Sequence, residues 1–174
     1  DPSRVASLLA GDVRAIENVP TADLARLSKD ASVTISRTVS HRLIFLHLDT
    51  SRDKSPAVTD KAGRPLEKNP LKDLRVRKAI SKAINRQAMV ERVMEGAAVA
   101  TGQLMPEGMF GHTPALKPEP FDPEGAKKLL AEAGYPDGFA ITLHGPNDRY
   151  VNDDQICQAV AQMLSRIGIQ MRVE

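Results

Sequence analysis

Tryptophan is missing from this sequence, and all aromatic residues together make up 3% of its 174 positions. An interior built from it must therefore rest on Leu, Ile, Val, Ala and Met. Cys157 is the single cysteine, so an internal disulfide framework is excluded. No apolar run approaches the roughly 18 residues that a membrane-spanning helix needs. Charge of one sign is also lacking: 24 basic against 22 acidic residues leave a net +2, too little to imply a polyanionic partner. The sequence begins at Asp1 rather than Met, which reads as a processed or excised chain and leaves the compartment open. Walker, G-x-S-x-G and G-x-G-x-x-G patterns are absent. The four histidines, at 41, 47, 112 and 144, show neither H-x-x-x-H spacing nor a cysteine in register. No metal site, cofactor or catalytic residue follows from such a pattern.

What is present is a clear local grammar. Val5, Leu8 and Leu9 share a helical face that Gly11 ends. Val13 to Pro20 suggests a short strand, and Thr21 suits the cap of a helix through Leu27. SVTISRTV and RLIFLHLD read as strands, the second with apolar groups on both faces and hence covered on both. Residues 50–70 are polar and Pro/Gly-bearing, the pattern of a surface loop or hairpin extension. A helix starts near Asp73 with Val76, Ala79, Ile80, Ala83 and Ile84 as its apolar stripe. Asn85-Arg86-Gln87 interrupts it, and a shorter helix follows with Met89, Val90 and Val93 inward. Residues 96–120 read as loop. Asp122-Pro123-Glu124 then places a capping carboxylate, a proline at the first helical position and an acid at the positive dipole end. Gly134 stops that helix, and Tyr135 to Gly138 make a turn. Strand 139–143, a helix capped by Asp153 or Asp154, and alternating Ile169, Met171 and Val173 compose a βαβ unit. Such a crossover implies a parallel pair and an α/β fold, with a strand edge exposed at 169–174.

Arg75, Lys78, Lys82 and Arg86 form a basic stripe on the helix 73–86. Its two readings are a solvated face or a small nucleic-acid-binding domain; no aromatic interleaving or helix-turn-helix spacing accompanies it, which favours the first. A small hydrolase is a further alternative that would have to draw on Cys157, His47 and His144. Cys157 lies beside the apolar face of Ile156 and Val160, the setting of an inert buried thiol.

DLRVRKAISKAINRQAMV, LMPEGMFG and FDPEGAKKLLAEAGYPDGFAITL resemble the ABC-transporter solute-binding proteins of the peptide- and nickel-binding family (family 5). LLAGDVRAIENVPTADLARL, HRLIFLHLDT and DRYVNDDQICQAVAQMLSRIGIQMRVE resemble the same family in the same order. The resemblance implies a piece of a longer, exported, two-lobed protein that is not an enzyme. It implies a partial type II periplasmic-binding-protein lobe with a βαβ unit and a mixed sheet. Residues 1–40 would belong to the first lobe and 41–174 to the core of the second. The implied partners are a small-molecule or peptide ligand and, through the whole protein, a membrane permease; a monomer outside the cytoplasm is expected, with no nucleic acid.

Ligands of open α/β sheets lie beyond the carboxyl ends of strands. In the frame of the resemblance, that places candidate cleft residues in three stretches. Phe45, His47 and Asp49 lie on the crossing strand, Gln103, Met105 and Phe110 on the long loop, and His144, Asn147, Arg149 and Tyr150 after strand 139–143. The backbone at 148–150 precedes a helix, where N–H groups favour anions; a ligand carboxylate, or Asp153 or Asp154, would satisfy them. Met105 suits an adaptable cleft wall or core filling equally.

Overall fold

The structure, a computed structural model, describes residues 2–174. Six α-helices and three strands follow in the order α1 (Pro2–Ala10), α2 (Thr21–Leu27), β1 (Val58–Thr59), α3 (Leu74–Ala83), α4 (Arg86–Arg92), α5 (Pro123–Glu132), β2 (Ala140–Leu143), α6 (Asp153–Ser165) and β3 (Gln170–Val173), with a short 3-10 helix at Pro70–Lys72 ahead of α3. No helix among them is long and apolar enough to cross a membrane.

The predicted βαβ unit is present. β2 and β3 pair in parallel, with Ala140 opposite Gln170 and Leu143 opposite Val173, and α6 makes the crossover. β1 adds an antiparallel neighbour on the other side of β2, so the sheet is mixed, in the order β1-β2-β3. β1 belongs to the hairpin extension expected at 50–70. Its turn is closed by the Asp60 carboxylate, which accepts from Ala62 N at 2.9 Å and Arg64 N at 2.8 Å while Gly63 takes φ 83°.

The helices start and stop where local chemistry directs. Asp73 accepts from Arg75 N at α3, Asn85 from Ala88 N at α4, and Asp122 from Gly125 N at α5, each relieving a first-turn donor. Val76, Ala79, Ile80 and Ala83 of α3 are buried against Ala126 and Leu130 of α5 and Ile156, Val160 and Leu164 of α6. Phe139 is fully buried beside them, edge-on to Tyr135 at 5.3 Å. The turns leading into β2 and β3 touch at Gly138 and Gly168. A Cβ on Gly138 would lie 2.1 Å from the Gly168 carbonyl oxygen, and both residues have positive φ.

Three expectations are corrected. No strand forms at 13–20, where the backbone bends instead. Thr21 does not cap α2: Pro20 stands at the cap position, and the Thr21 hydroxyl accepts a distant hydrogen bond from Asn152. The runs 32–39 and 42–49 form no strand, because a strand exists only through a pairing neighbour. Residues 34–48 make no backbone–backbone hydrogen bond among the described residues. Nor is the second run covered on both faces: Leu46 and Leu48 pack at the core's edge, while Ile44 and Phe45 are exposed.

Candidate functional site

The loop after β2 is built by its glycine and by one carboxylate. Gly145 N donates to Glu174 O at 2.9 Å, and a Cβ on Gly145 would sit 2.5 Å from Cys157 Sγ. A side chain at 145 would require the Cys157 thiol to shift. Cys157 beneath it is buried, and burial, with the charges of Asp153 and Asp154, raises its thiol pKa. It is a packing residue with the thiol protonated at neutral pH.

Asp153 is buried at 6% exposure, and its carboxylate reaches backward along the chain. It accepts from Arg149 N at 3.0 Å, Tyr150 N at 2.9 Å and Asp154 N at 2.9 Å. The bond from Tyr150 N is the largest cause holding this carboxyl below its ordinary pKa. The backbone donors of 149 and 150, open to either a ligand anion or an acidic side chain in the sequence, are thus engaged by Asp153.

Asn152 adopts φ 55°, ψ 30° ahead of α6 and turns its amide elsewhere. Its Nδ2 donates to Thr21 Oγ1 at 2.9 Å and to Val93 O at 2.7 Å, joining α2, the end of α4 and α6. Sequence reasoning missed this junction. The available signal was an Asn, tolerant of left-handed backbone, directly before a helix.

Arg149 and Tyr150 come together with a residue not foreseen. Arg149 Nε donates to Tyr150 Oη at 3.0 Å, raising the guanidinium pKa, and its Cζ lies 5.4 Å from the ring centroid. Arg42 brings a second guanidinium over the same ring at 5.7 Å. Arg42, upstream of the expected stretch 45–49, therefore meets Tyr150 of the expected stretch 144–150, while no hydrogen bond, ion pair or ring contact joins Phe45, His47 or Asp49 to Tyr150 among the described residues.

The other candidates are placed as follows. Phe45 and His47 are exposed, their rings 6.4 Å apart. The Asp49 carboxylate is held by Arg52 Nη1 at 2.9 Å, Arg52 N at 3.3 Å and Ser51 Oγ at 3.2 Å. Above all the Arg52 side chain keeps its pKa well below the carboxylate range. His144 is exposed, with Nδ1 3.7 Å from Glu174 Oε2, and Asn147 is exposed beside it. Gln103 staples its own loop: Nε2 donates to Thr113 O at 2.7 Å and Leu116 O at 3.2 Å, and Oε1 accepts from Thr113 N at 3.0 Å. Met105 is half-buried near Gly111, and Phe110 is wholly exposed. No hydrogen bond, ion pair or ring contact joins this third stretch to Tyr150 among the described residues.

Two open depressions lie elsewhere. One of about 700 Å³ runs along α6 and β3 past Gln155, Gln158, Gln162 and Met171, and one of about 360 Å³ lies beside α1. Neither contains a predicted residue. No cluster of three or more His, Cys, Asp or Glu able to hold a metal occurs among the described residues. Three cations of the basic stripe are occupied internally: Arg75 by Asp73 and Glu132 O, Lys82 by Asp122 and Glu119, and Arg86 by Ser81.

The family described as bacterial extracellular solute-binding proteins, family 5 (middle region) matches residues 1–174. The chain belongs to this family. It is 32% identical to the glutathione-binding protein GsiB of Salmonella choleraesuis over 174 residues, 98% of this chain and 30% of that protein. It is 28% identical to the dipeptide-binding protein of Escherichia coli over 175 residues, 98% of this chain and 29% of that one. Among solved structures, HbpA2 of Haemophilus parasuis superposes with a TM-score of 0.70 at 26% identity, over 99% of this chain and 32% of that chain. The periplasmic binding protein DppA of Helicobacter pylori, in complex with the peptide STSA, gives 0.70 at 23% identity and supports the fold. The α/β lobe with a βαβ unit and mixed sheet, and the extracytoplasmic family implied by the sequence, agree with these matches. The chain spans about 30% of the length of the relatives it matches.

Proposed function

We propose that the full-length protein captures a peptide-like or other small solute outside the cytoplasm and delivers it to the permease of an ABC importer. The observation that carries this reading is the family match along the whole of 1–174. The site supports it in kind. Exposed side chains on loops beyond a strand end suit capture, which needs no nucleophile or cofactor but a surface completed when two lobes close. Cys157, buried and protonated, offers nothing to a hydrolytic reading, so the protein acts as a binder and not as an enzyme. Binding of nucleic acid is disfavoured by the internal partners of Arg75, Lys82 and Arg86. The protein is a monomer in this reading.

Residues 1–40 belong to the first lobe and 41–174 to the core of the second. In support, Val5 and Leu27 are buried but stand outside the main hydrophobic cluster, to which 2–40 contribute no residue. Relatives named for binding dipeptides and glutathione support a peptide-like member of that class.

Calorimetry of the full-length protein against dipeptides, glutathione and metal chelates tests the reading. One-to-one binding of a member of these classes is expected, and failure of all of them would refute it. The 174-residue chain alone should bind the same solute at least about a thousandfold more weakly, a loss of about 4 kcal/mol, because one wall of the cleft is missing. Equal affinity would overturn the two-lobe argument.

A further inference from the structure

We propose that the hydrogen bond from Asn152 to Thr21 is a latch between the two lobes, made when the cleft closes and lost when it opens. The inference rests on the solute-binding reading and on the assignment of residues 1–40 to the first lobe. It goes beyond both by naming a bond that sets how readily the lobes close. Its basis is a pair of helix starts that forgo their local chemistry. Asn152 holds the cap position of α6 and Thr21 opens α2, and both are residue types that usually accept from first-turn N–H groups. Neither helix start has a side-chain cap bond; instead Asn152 Nδ2 donates to Thr21 Oγ1 at 2.9 Å, across 131 positions of chain.

The amide is aimed. Asn152 takes a left-handed backbone, which most side chains avoid and Asn tolerates. Its other amide hydrogen goes to Val93 O at 2.7 Å, which fixes the amide from the second-lobe side and turns the first hydrogen towards Thr21. Thr21 is 5% exposed, so without that donor its hydroxyl would lose its partner in a buried setting. A second bond runs from the same segment to the same turn: Arg37 Nη2 donates to Gly96 O at 3.1 Å, just past Val93. Apolar packing does not do this work, since α1 and α2 contribute no residue to the main hydrophobic cluster. Polar bonds of this kind are replaced by water when they break, so their net worth is modest and they bias a hinge without freezing it.

The direction of the bias follows from where Asn152 sits. It ends the loop that leaves the carboxyl end of β2, the edge at which open α/β sheets meet their ligands. A first-lobe residue bonded to that loop stands on the cleft side of the second lobe, so drawing the lobes together and forming the bond are one movement. A bond made only in the closed arrangement strengthens solute binding without touching the solute, because apparent affinity scales with the population of the competent state.

The test uses four variants of the full-length protein. Asn152→Gly accepts the left-handed backbone but lacks the amide, and Thr21→Val keeps the branched shape but lacks the acceptor. Thr21→Ser keeps the hydroxyl, and the fourth variant combines Asn152→Gly with Thr21→Val. Calorimetry and stopped-flow release with dialanine and glutathione read binding. Spin labels on Lys29→Cys and Lys128→Cys, both exposed positions, read the distance between the lobes. We expect Asn152→Gly and Thr21→Val each to weaken binding about three- to tenfold through faster release. The combined variant should lose no more than either change alone, and Thr21→Ser should match the parent. Without solute, the closed-distance population should fall by a similar factor in Asn152→Gly, and saturating solute should restore the parent's distances. A lowered melting temperature with unchanged affinity and distances would make the bond merely structural; it would overturn the latch and leave the solute-binding reading standing. Tighter binding would assign the bond to the open arrangement, and additive losses would deny a single bond, each overturning the latch. If neither probe binds the parent, the peptide-like assignment fails, and the distances without solute decide the latch: an unaltered distribution in Asn152→Gly overturns it.

Discussion

Asp153→Ala should unmoor the loop that carries the candidate site. The native carboxylate, 6% exposed, accepts three backbone N–H bonds of 2.9 to 3.0 Å from residues 149, 150 and 154. Loss of a helix-start acceptor costs about 0.5–2 kcal/mol, and bonds to a charged acceptor stand at the upper end. For three bonds sharing one carboxylate, a loss of about 2–3 kcal/mol is expected. In a chain of this size that is a fall in Tm of about 4–12 °C. Asp153→Asn keeps one oxygen and should lose about 1 kcal/mol.

The pH dependence has a definite sign. The folded pKa is depressed, so this stabilisation is complete above the unfolded value of about 4 and is lost as pH falls through it towards the folded value. Urea denaturation of parent and variants at pH 7 and pH 3 checks this. The gap between parent and Asp153→Ala should narrow in acid. A gap under about 0.5 kcal/mol at pH 7, or one that widens at pH 3, would refute the role assigned to this carboxylate.

Gly138→Ala should cost about 3 kcal/mol or more, since its Cβ would meet the Gly168 carbonyl at 2.1 Å. Gly134→Ala, at a similar φ but with nothing within 4 Å, should cost only the left-handed strain of about 1–2 kcal/mol; parallel denaturant melts distinguish the two. A double-mutant cycle of Asn152→Ala and Thr21→Val should give a coupling of about 1 kcal/mol, and additive effects would deny the bridge. Cys157 should react with an aromatic disulfide reagent at least about tenfold more slowly in the native chain than in guanidinium chloride, read as thiol release at pH 8.

What was legible in the sequence was what neighbours along the chain decide. Asp73, Asp122-Pro123 and Gly134 mark helix ends through bonds that span two to five residues, and the apolar stripes of α3 and α6 follow from helical spacing. The βαβ unit was readable because its crossover length and alternation leave one arrangement. Illegible were bonds that depend on distant partners. Thr21 has the composition of a cap, yet Asn152, far along the chain, claims its hydroxyl. RLIFLHLD has the composition of a strand, but strand formation needs a neighbour that composition does not name. Of the candidate site, Arg149 and Tyr150 were identified because they follow a strand and precede a helix. Arg42 was not, since nothing local distinguishes it from the other arginines. Gln103 was named for its place on a loop, and its staple to Thr113 and Leu116 is visible only in three dimensions.

The unladdered stretch 34–48 has a kinetic signature. With no backbone acceptor to break away from, its amides should exchange with deuterium at rates near those of a free peptide, without waiting for any opening of the fold. The amides inside α3, α6 and the β2–β3 ladder, locked beneath the shared core, should exchange only through far larger fluctuations. The isotope would thus trace a seam between this run and the core, with the Arg42 amide, which donates to Ser40 Oγ at 3.2 Å, slower than its neighbours.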